Sequence, residues 1–362
     1  MTLHTYAAEL PAYLDDYIYD QLSARHEPQG MMFSSKTWDL NKTLTYLGTY
    51  FPRSYAEAYC IFCDYFSSNI SMWGSRETLR ILDVGCGCGG ELVGLLAAIH
   101  EKLPNVTSVV IDAVDANRHA ATICENVIDC YAKCNNLDEL IRVNIVRADF
   151  SDLNQTKEMP LRFNGGYDVI LTFKALNEII TWGSWGCVNP YSEFQDIFSQ
   201  CLVENGIICI ADVDMPVQLM DCPTTGIVRA CDSGAQRSCF VKQMAEFLSA
   251  ASGNNWAMAQ GNCPLVNGQP CSCNRGAPFG FGRDCSLTLS YVFYRDLMWQ
   301  AVFNGKFLVL CHNLDAHGAG KEREKRFYVK HSRASIGDGD SEGLFWVISS
   351  RKPYLDNGDL PM

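Results

Sequence analysis

The sequence predicts an α/β fold. A largely parallel sheet should be preceded by N-terminal helices, and a Cys-rich insert should separate it from C-terminal strands that complete it. Three observations predict this. Short Val/Ile-rich runs alternate with stretches of helical spacing between residues 79 and 214. The first run ends in a glycine turn that opens directly into a helical pattern. Strands alternating with helices of about 10–15 residues imply parallel βαβ units, and continuous apolar strands suit a sheet buried on both faces.

The elements follow in order. Residues 1–75 form an N-terminal helical segment rich in aromatics, and TLTYLGTYFPRSYAEAYCIFCDYF (43–66) reads as two helices broken at Pro52. The CIFC at Cys60–Cys63 has apolar inner residues within a helical pattern, which favours core packing over metal or redox use. The core spans 76–215. Its strands are LRILDVG, VTSVVIDAVDAN, IRVNIVRADF, YDVILTFKAL and GIICIADVD. Its helices are ELVGLLAAIHEKL, RHAATICENVIDCYAKC and SEFQDIFSQCLV, the last entered through Pro190 at its first position. Residues 216–290 form the Cys-, Gly-, Asn- and Pro-rich insert, where only FVKQMAEFLSAA reads as a helix. Residues 291–362 supply the strands KFLVLCHNL, RFYVKHSR and GLFWVISS, the last two expected as a hairpin around ASIGDGDSE.

Composition bounds the function. The 362 residues are 48% hydrophobic and 19% charged, enough apolar material for a sizeable core, so disorder and coiled coil are excluded as the main organisation. Acidic residues outnumber basic ones 41 to 29, a net charge of −12, so there is no strong nucleic-acid signature. The N-terminus lacks a basic segment followed by an apolar one, and no run of about 18 apolar residues occurs, so neither export nor a membrane is expected. The expected compartment is cytoplasmic, with an organellar matrix left open. The 18 cysteines should then be mostly reduced, and Cys124, Cys201 and Cys209, set in apolar runs, read as small buried hydrophobes.

The chemistry begins at Asp83-Val84-Gly85-Cys86-Gly87-Cys88-Gly89-Gly90. Glycines there let the chain turn sharply and bring a ligand against the main chain. The loop opens with LDVG, not the VxGxGxxG usual for dinucleotide enzymes, which leaves a nicotinamide enzyme as the weaker reading. Residues 79–214 resemble the class I S-adenosylmethionine (SAM) methyltransferases, a Rossmann-like family whose first motif is of the type (L/V)D(V/L)GxGxG. The resemblance implies that Asp83, Gly85, Cys86, Gly87 and Gly89 wrap the methionine and ribose of SAM. It implies ribose contacts from Asp115 and Ala116 in VDAN, with Asp112 as the alternative acid. It implies adenine contacts from Asp149 and Phe150 in RADF. Read without the resemblance, Asp115 and Asp149 are equally helix caps or strand-end turn residues.

Open α/β sheets bind ligands beyond the carboxyl ends of their strands. YDVILTFKALNEII places Phe173, Lys174, Asn177 and Glu178 at that edge, which in methyltransferases faces the methyl group. Methyl transfer asks the protein to align donor and acceptor and to exclude water. Glu178 is the candidate general base and Asn177 the candidate substrate orienter, though NEII also reads as a helix's first turn, where an acid favours the dipole. The DPPY or NPPY motif of amine methylation is absent from this segment.

Cys263, Cys271, Cys273 and Cys285 are separated by seven, one and eleven residues in a polar, loop-like stretch. Four thiolates can hold zinc or an iron–sulfur cluster, and sequence alone leaves both open. Cys222, Cys231, Cys239 and Cys311 are further candidates. The segment GTYFPRSYAEAY and the CPxxxxC…C type of loop resemble the Rsm22-like family, the methyltransferase-like proteins of mitochondrial small-ribosomal-subunit assembly and their bacterial cousins. That resemblance implies an iron–sulfur cluster on Cys263, Cys271 and Cys285, with Cys273 or Cys311 as the fourth ligand.

The expected function is therefore a SAM-dependent methyltransferase with a Cys-ligated metal site. The methyl acceptor is open among RNA, a protein, a peptide and a small molecule, and the aromatic-rich N-terminal helices should cover or shape its pocket. A noncatalytic SAM-binding assembly protein and a metal-dependent redox enzyme are the alternatives.

Overall fold

A computed structural model describes residues 6–25, 37–163, 165–176, 178–179, 185 and 190–213, together with the strands at 290–292, 299–317, 321–331 and 341–351. The chain divides into two compact units. The first comprises Met1–Phe150, Phe307–His331 and Ser335–Glu342, and the second comprises Ser151–Lys306, Ser332–Ala334 and Gly343–Met362.

In the first unit, β1 (Tyr6–Glu9) leads to α1 (Ala12–Asp16) and a π-helical turn at Tyr17–Gln21. Then come α2 (Leu40–Ser68), α3 (Ile70–Trp73), β2 (Thr78–Val84), α4 (Gly90–Lys102), β3 (Ser108–Asp115), α5 (Arg118–Cys134) and β4 (Ile141–Arg147). β2, β3 and β4 run parallel in that order, with Ile81 opposite Ile111 and Ile111 opposite Val143. β2 and β3 are mostly buried, as their Val/Ile content predicts. β4 instead alternates partly buried with exposed residues over much of its length, because Arg142, Asn144 and Arg147 interrupt its apolar run.

The break expected at Pro52 does not occur: α2 is one helix of 29 residues with Pro52 inside it. A proline lacks the N–H that would reach the carbonyl four residues earlier, here Gly48. The Tyr19 hydroxyl takes over and donates to the Gly48 carbonyl at 2.5 Å. Gly48 also has to be bare, because a Cβ there would lie 2.5 Å from the Arg25 carbonyl oxygen. Asp39 caps the helix by accepting the Lys42 N–H at 2.9 Å.

α2 buries Leu47, Phe51, Tyr55, Ala58, Phe62 and Phe66, the spacing of one helical face, and packs on α4. The contact is close because α4 presents Gly90 and Gly94, four residues apart. A Cβ on Gly90 would meet the Phe51 carbonyl at 2.8 Å, and one on Gly94 would collide with the Tyr55 carbonyl. The Tyr59 hydroxyl donates to Glu101 and ties the far ends together. Cys63 is fully buried in this face, in keeping with core packing.

In the second unit, α6 (Leu153–Arg162), β5 (Tyr167–Phe173), α7 (Pro190–Phe198), a 3-10 turn (Ser199–Cys201) and β6 (Leu202–Val213) follow one another. β5 is buried along its whole length and pairs in parallel with β6. α7 begins at Pro190 as expected. α6 escapes a periodicity search because LNQTKEMPLR is polar and buries only Thr156, Met159 and Pro160. Its start is set by Asp152, which accepts the N–H groups of Asn154 and Gln155, and Lys157 pairs with Glu193 of α7 at 2.8 Å.

The C-terminal strands pair differently from the expected hairpin. β7 (Ser290–Val292) pairs with β8 (Trp299–His317), and β8 pairs antiparallel with β9 (Lys321–His331) across residues 318–320. β9 also pairs with β1, while β10 (Ser341–Arg351) pairs antiparallel with β6. The polar stretch ASIGDGDSE thus does not close a hairpin, because β9 and β10 do not pair with each other. The alternation of strands and helices with parallel pairing is the expected α/β, Rossmann-like class.

Candidate functional site

The first unit concentrates the predicted loop residues at the carboxyl ends of β2 and β3. As β2 ends, the N–H groups of Gly85 and Cys86 both donate to the Val114 carbonyl, at 2.8 and 3.0 Å. Gly87 has φ +49°, in the left-handed region, and its N–H donates to Asp115 Oδ2 at 2.9 Å. Gly89 has φ +82° and is the residue from which α4 starts, with its N–H on the Cys86 carbonyl at 2.8 Å. The loop therefore closes on itself and delivers the N-terminus of α4.

Asp115 is the last residue of β3 and is 6% exposed. Its Oδ1 accepts the Asn117 N–H at 2.7 Å. It is not the cap of α5. Asn117 does that, accepting from His119 and Ala120 at 2.9 and 3.3 Å, which leaves the Asp115 carboxylate directed at the loop. Burial raises the Asp115 pKa, opposed by hydrogen bonds from the Asn117, Gly87 and Ala116 backbones and reinforced by the nearby charge of Asp149. Ala116, Asp149 and Phe150 are partly exposed, and the Ala148 N–H reaches the Asp115 carbonyl at 3.3 Å. RADF thus lies beside the end of β3. Asp112, the alternative acid, is committed elsewhere: it accepts from Asn144 at 2.8 Å and faces Arg80 at 4.0 Å.

Asp83 is fully buried one residue before the end of β2. Burial, followed by the charge of Glu91 in the first turn of α4, raises its pKa well above the carboxylate range. Among the described residues, no donor reaches its oxygens unless the Glu91 carboxyl itself carries a proton.

Cys86 and Cys88 are buried small fillers. The Cys86 thiol is pushed well up by its hydrogen bond with Cys124 and by burial, and Cys88 by burial, so both are neutral. Cys124 lies under the loop, and a Cβ on Gly89 would sit 2.7 Å from its sulfur. Cys124, Cys201 and Cys209 are buried as expected.

Sequence reasoning missed the part of α2 that lies on the loop. Tyr46 stands with its ring and hydroxyl 3.5 Å from where a Gly87 Cβ would begin. Asn117 donates to Thr43 Oγ1 of the same helix at 3.3 Å. The signal was present as the run of Tyr and Trp residues through 38–50, but only the fold says which one reaches the loop.

In the second unit, Phe173 ends β5 and is buried. Lys174 follows at φ +55° with its N–H on the Ala211 carbonyl at 2.7 Å, a left-handed non-glycine residue where the strand meets its loop. The Glu178 N–H reaches the Ala175 carbonyl at 3.2 Å, and its side chain is partly exposed. Asn177 lies outside the described residues, as do Cys263, Cys271, Cys273 and Cys285 and the further candidates Cys222, Cys231 and Cys239. Among the described residues, no group of three or more His, Cys, Asp or Glu is placed to hold a metal, and no helix is long and apolar enough to cross a membrane.

No protein-family model and no curated protein matches the sequence. Solved structures do. A S-adenosylmethionine-dependent methyltransferase from Clostridium acetobutylicum is 12% identical, with 82% of this chain and 92% of that one covered and a TM-score of 0.31. The CurJ carbon methyltransferase is 12% identical, with 82% of this chain and 59% of that one covered and a TM-score of 0.37. The rRNA methyltransferase AviRa from Streptomyces viridochromogenes is 14% identical, with 46% of this chain and 76% of that one covered and a TM-score of 0.30. What this chain's loop can hold follows from its own atoms. The glycines alone do not choose a ligand, because Gly85, Gly87 and Gly90 also satisfy a GxGxxG register. Asp115 offers acceptor oxygens beside the loop, and the N-terminus of α4 suits an anionic group.

Proposed function

We propose that the chain is a SAM-dependent methyltransferase. One observation carries the reading: the carboxylate at the end of β3 clasps the middle glycine of the loop after β2, since Asp115 Oδ2 accepts the Gly87 N–H at 2.9 Å. A carboxylate so placed retains acceptor capacity for ribose hydroxyls. Asp83, Gly85, Cys86, Gly87 and Gly89 hold the methionine and ribose, Asp115 and Ala116 the ribose, and Asp149 and Phe150 the adenine. Phe173 is a further cofactor contact, Glu178 acts as general base and Asn177 orients the acceptor. The acceptor is RNA, a protein, a peptide or a small molecule.

Calorimetry of the full-length chain with SAM is the test. Saturable binding that Asp115→Ala weakens at least tenfold is expected, and absence of binding to folded protein would overturn the reading.

The cluster Cys263, Cys271, Cys273 and Cys285 is proposed as a metal site, zinc or iron–sulfur, on the strength of its polar setting and the resemblance to the ribosome-assembly family. Anaerobic purification with metal and acid-labile sulfide analysis decides it. The missing DPPY or NPPY motif favours a second reading, a SAM-binding assembly protein without turnover. Transfer of label from methyl-labelled SAM in a lysate would count against it.

A further inference from the structure

We infer that Thr43 is a positioning residue for the cofactor: through Asn117 it holds the Asp115 carboxylate in place for the ribose hydroxyls of SAM, so that the first turn of α2 sets the affinity for the nucleoside. The inference rests on the methyltransferase reading and names a residue outside both the glycine loop and the strand-end acids.

Three hydrogen bonds run in series from α2 to the site. The Thr43 hydroxyl donates to the Asp39 carbonyl at the start of α2, at 2.8 Å. With that proton committed to Asp39, the Thr43 oxygen serves the site as an acceptor, and the Asn117 amide donates to it at 3.3 Å across 74 residues of sequence. The Asn117 backbone N–H in turn donates to Asp115 Oδ1 at 2.7 Å. Thr43 is 1% exposed, Asn117 2% and Asp115 6%, so the series is shielded from water.

Asn117 is the joint. Its side-chain oxygen accepts the His119 and Ala120 N–H groups and starts α5. Those two donors fix which end of the amide is the oxygen, and the NH2 end is thereby turned to Thr43. An aspartate would cap α5 equally well; what the asparagine adds is the donor that reaches α2. Thr43 is the stiff end of the series, because a β-branched side chain whose hydroxyl bonds the carbonyl four residues back is held in one rotamer.

Asp115 takes one N–H on each oxygen, from Asn117 and from Gly87, and keeps lone pairs on both for ribose hydroxyls. The two N–H groups set where those lone pairs point. Gly87 sits in the loop itself. Asn117 is set from outside the loop, by the start of α5 and by Thr43. Loss of the Thr43 oxygen removes the hold of α2 on this joint. The turn at 115–117 then loosens, the carboxylate samples a wider range of directions, and ribose affinity falls.

The test is calorimetry on the full-length chain with SAM and S-adenosylhomocysteine (SAH), which share the ribose. Thr43→Val, which keeps the shape and removes the hydroxyl, is expected to weaken both about fivefold, while Thr43→Ser keeps both within about twofold of wild type. In an Asp115→Ala background Thr43→Val should cost nothing further, because a residue that acts through Asp115 has nothing left to position. Where Asp115→Ala binds too weakly to titrate, amide exchange in the ligand-free chain reads the same link: the Asn117 N–H should exchange faster in Thr43→Val and recover in Thr43→Ser, with Ile111 in the middle of β3 unchanged. Should Thr43→Val not fold, Thr43→Ala takes its place in each measurement. Unchanged affinity in Thr43→Val, a loss that persists in the Asp115→Ala background, or Asn117 and Ile111 amides that speed up together overturns the role of Thr43 and leaves the methyltransferase reading standing. A wild-type chain that is folded and binds neither SAM nor SAH overturns both.

Discussion

The Tyr19 hydroxyl donates to the Gly48 carbonyl at the one turn of α2 where Pro52 cannot. A buried acceptor left without a donor costs about 1–3 kcal/mol. Tyr19→Phe is therefore expected to destabilise the protein by about that much in urea unfolding. Pro52→Ala returns a backbone N–H to Gly48, so the penalty of Tyr19→Phe should shrink in the Pro52→Ala background. A penalty of equal size in both backgrounds would show that the tyrosine acts through packing alone.

The close approach of α2 to α4 gives a second expectation. A methyl group on Gly94 would collide with the Tyr55 carbonyl and lie 2.9 Å from the Tyr59 nitrogen, both backbone atoms that cannot swing aside. Overpacking of this kind costs about 1–3 kcal/mol. Gly94→Ala should lower Tm by several degrees. A melt of Gly94→Ala that matches wild type would contradict the packing.

Much of this was legible in the sequence because local and tertiary signals agreed there. The helix Arg118–Cys134 and the strand ending at Asp115 could be read from apolar periodicity and the VDAN turn. Where they disagreed, the reading failed. Pro52 looked like a helix break because the donor that rescues Gly48 sits 29 residues earlier. α6 was invisible because its polar sequence is held by a cap and an ion pair more than by a buried face. β10 pairs with β6, more than 100 residues away in sequence, and no turn signal encodes such a pairing. At the site, Asp115 could be named from its motif, but its clasp on Gly87 and the approach of Tyr46 depend on a helix that precedes the motif.

The clasp itself yields a third expectation. Asp115→Asn keeps the shape of the side chain but turns one acceptor into a donor. Oδ1 and Oδ2 now accept from Asn117 and Gly87, so one of those N–H groups would face an NH2. The loop should loosen, with faster amide exchange at Gly87 and Asn117 than in wild type, and global stability should fall by about 1–3 kcal/mol. Unchanged exchange at both amides would mean that the carboxylate does not hold the loop.

Asp83 contributes to the pH dependence of stability. Its folded pKa is raised above the unfolded value by burial and by Glu91, so the protein favours the protonated form. The stability this provides is complete below the ordinary carboxylate range and is lost as pH rises toward the raised value. Asp83→Asn removes the buried charge and supplies an amide that can donate to Glu91. The apo variant should therefore melt above wild type at neutral pH, and the gap should close as the pH falls below 4. A cation beside the pair reverses the balance by favouring ionised Asp83. SAM should raise the wild-type Tm more at pH 8 than at pH 5, and Asp83→Asn should lose most of that pH dependence. A ligand-induced shift in Tm that is the same at both pH values in wild type would separate Asp83 from the cationic part of SAM.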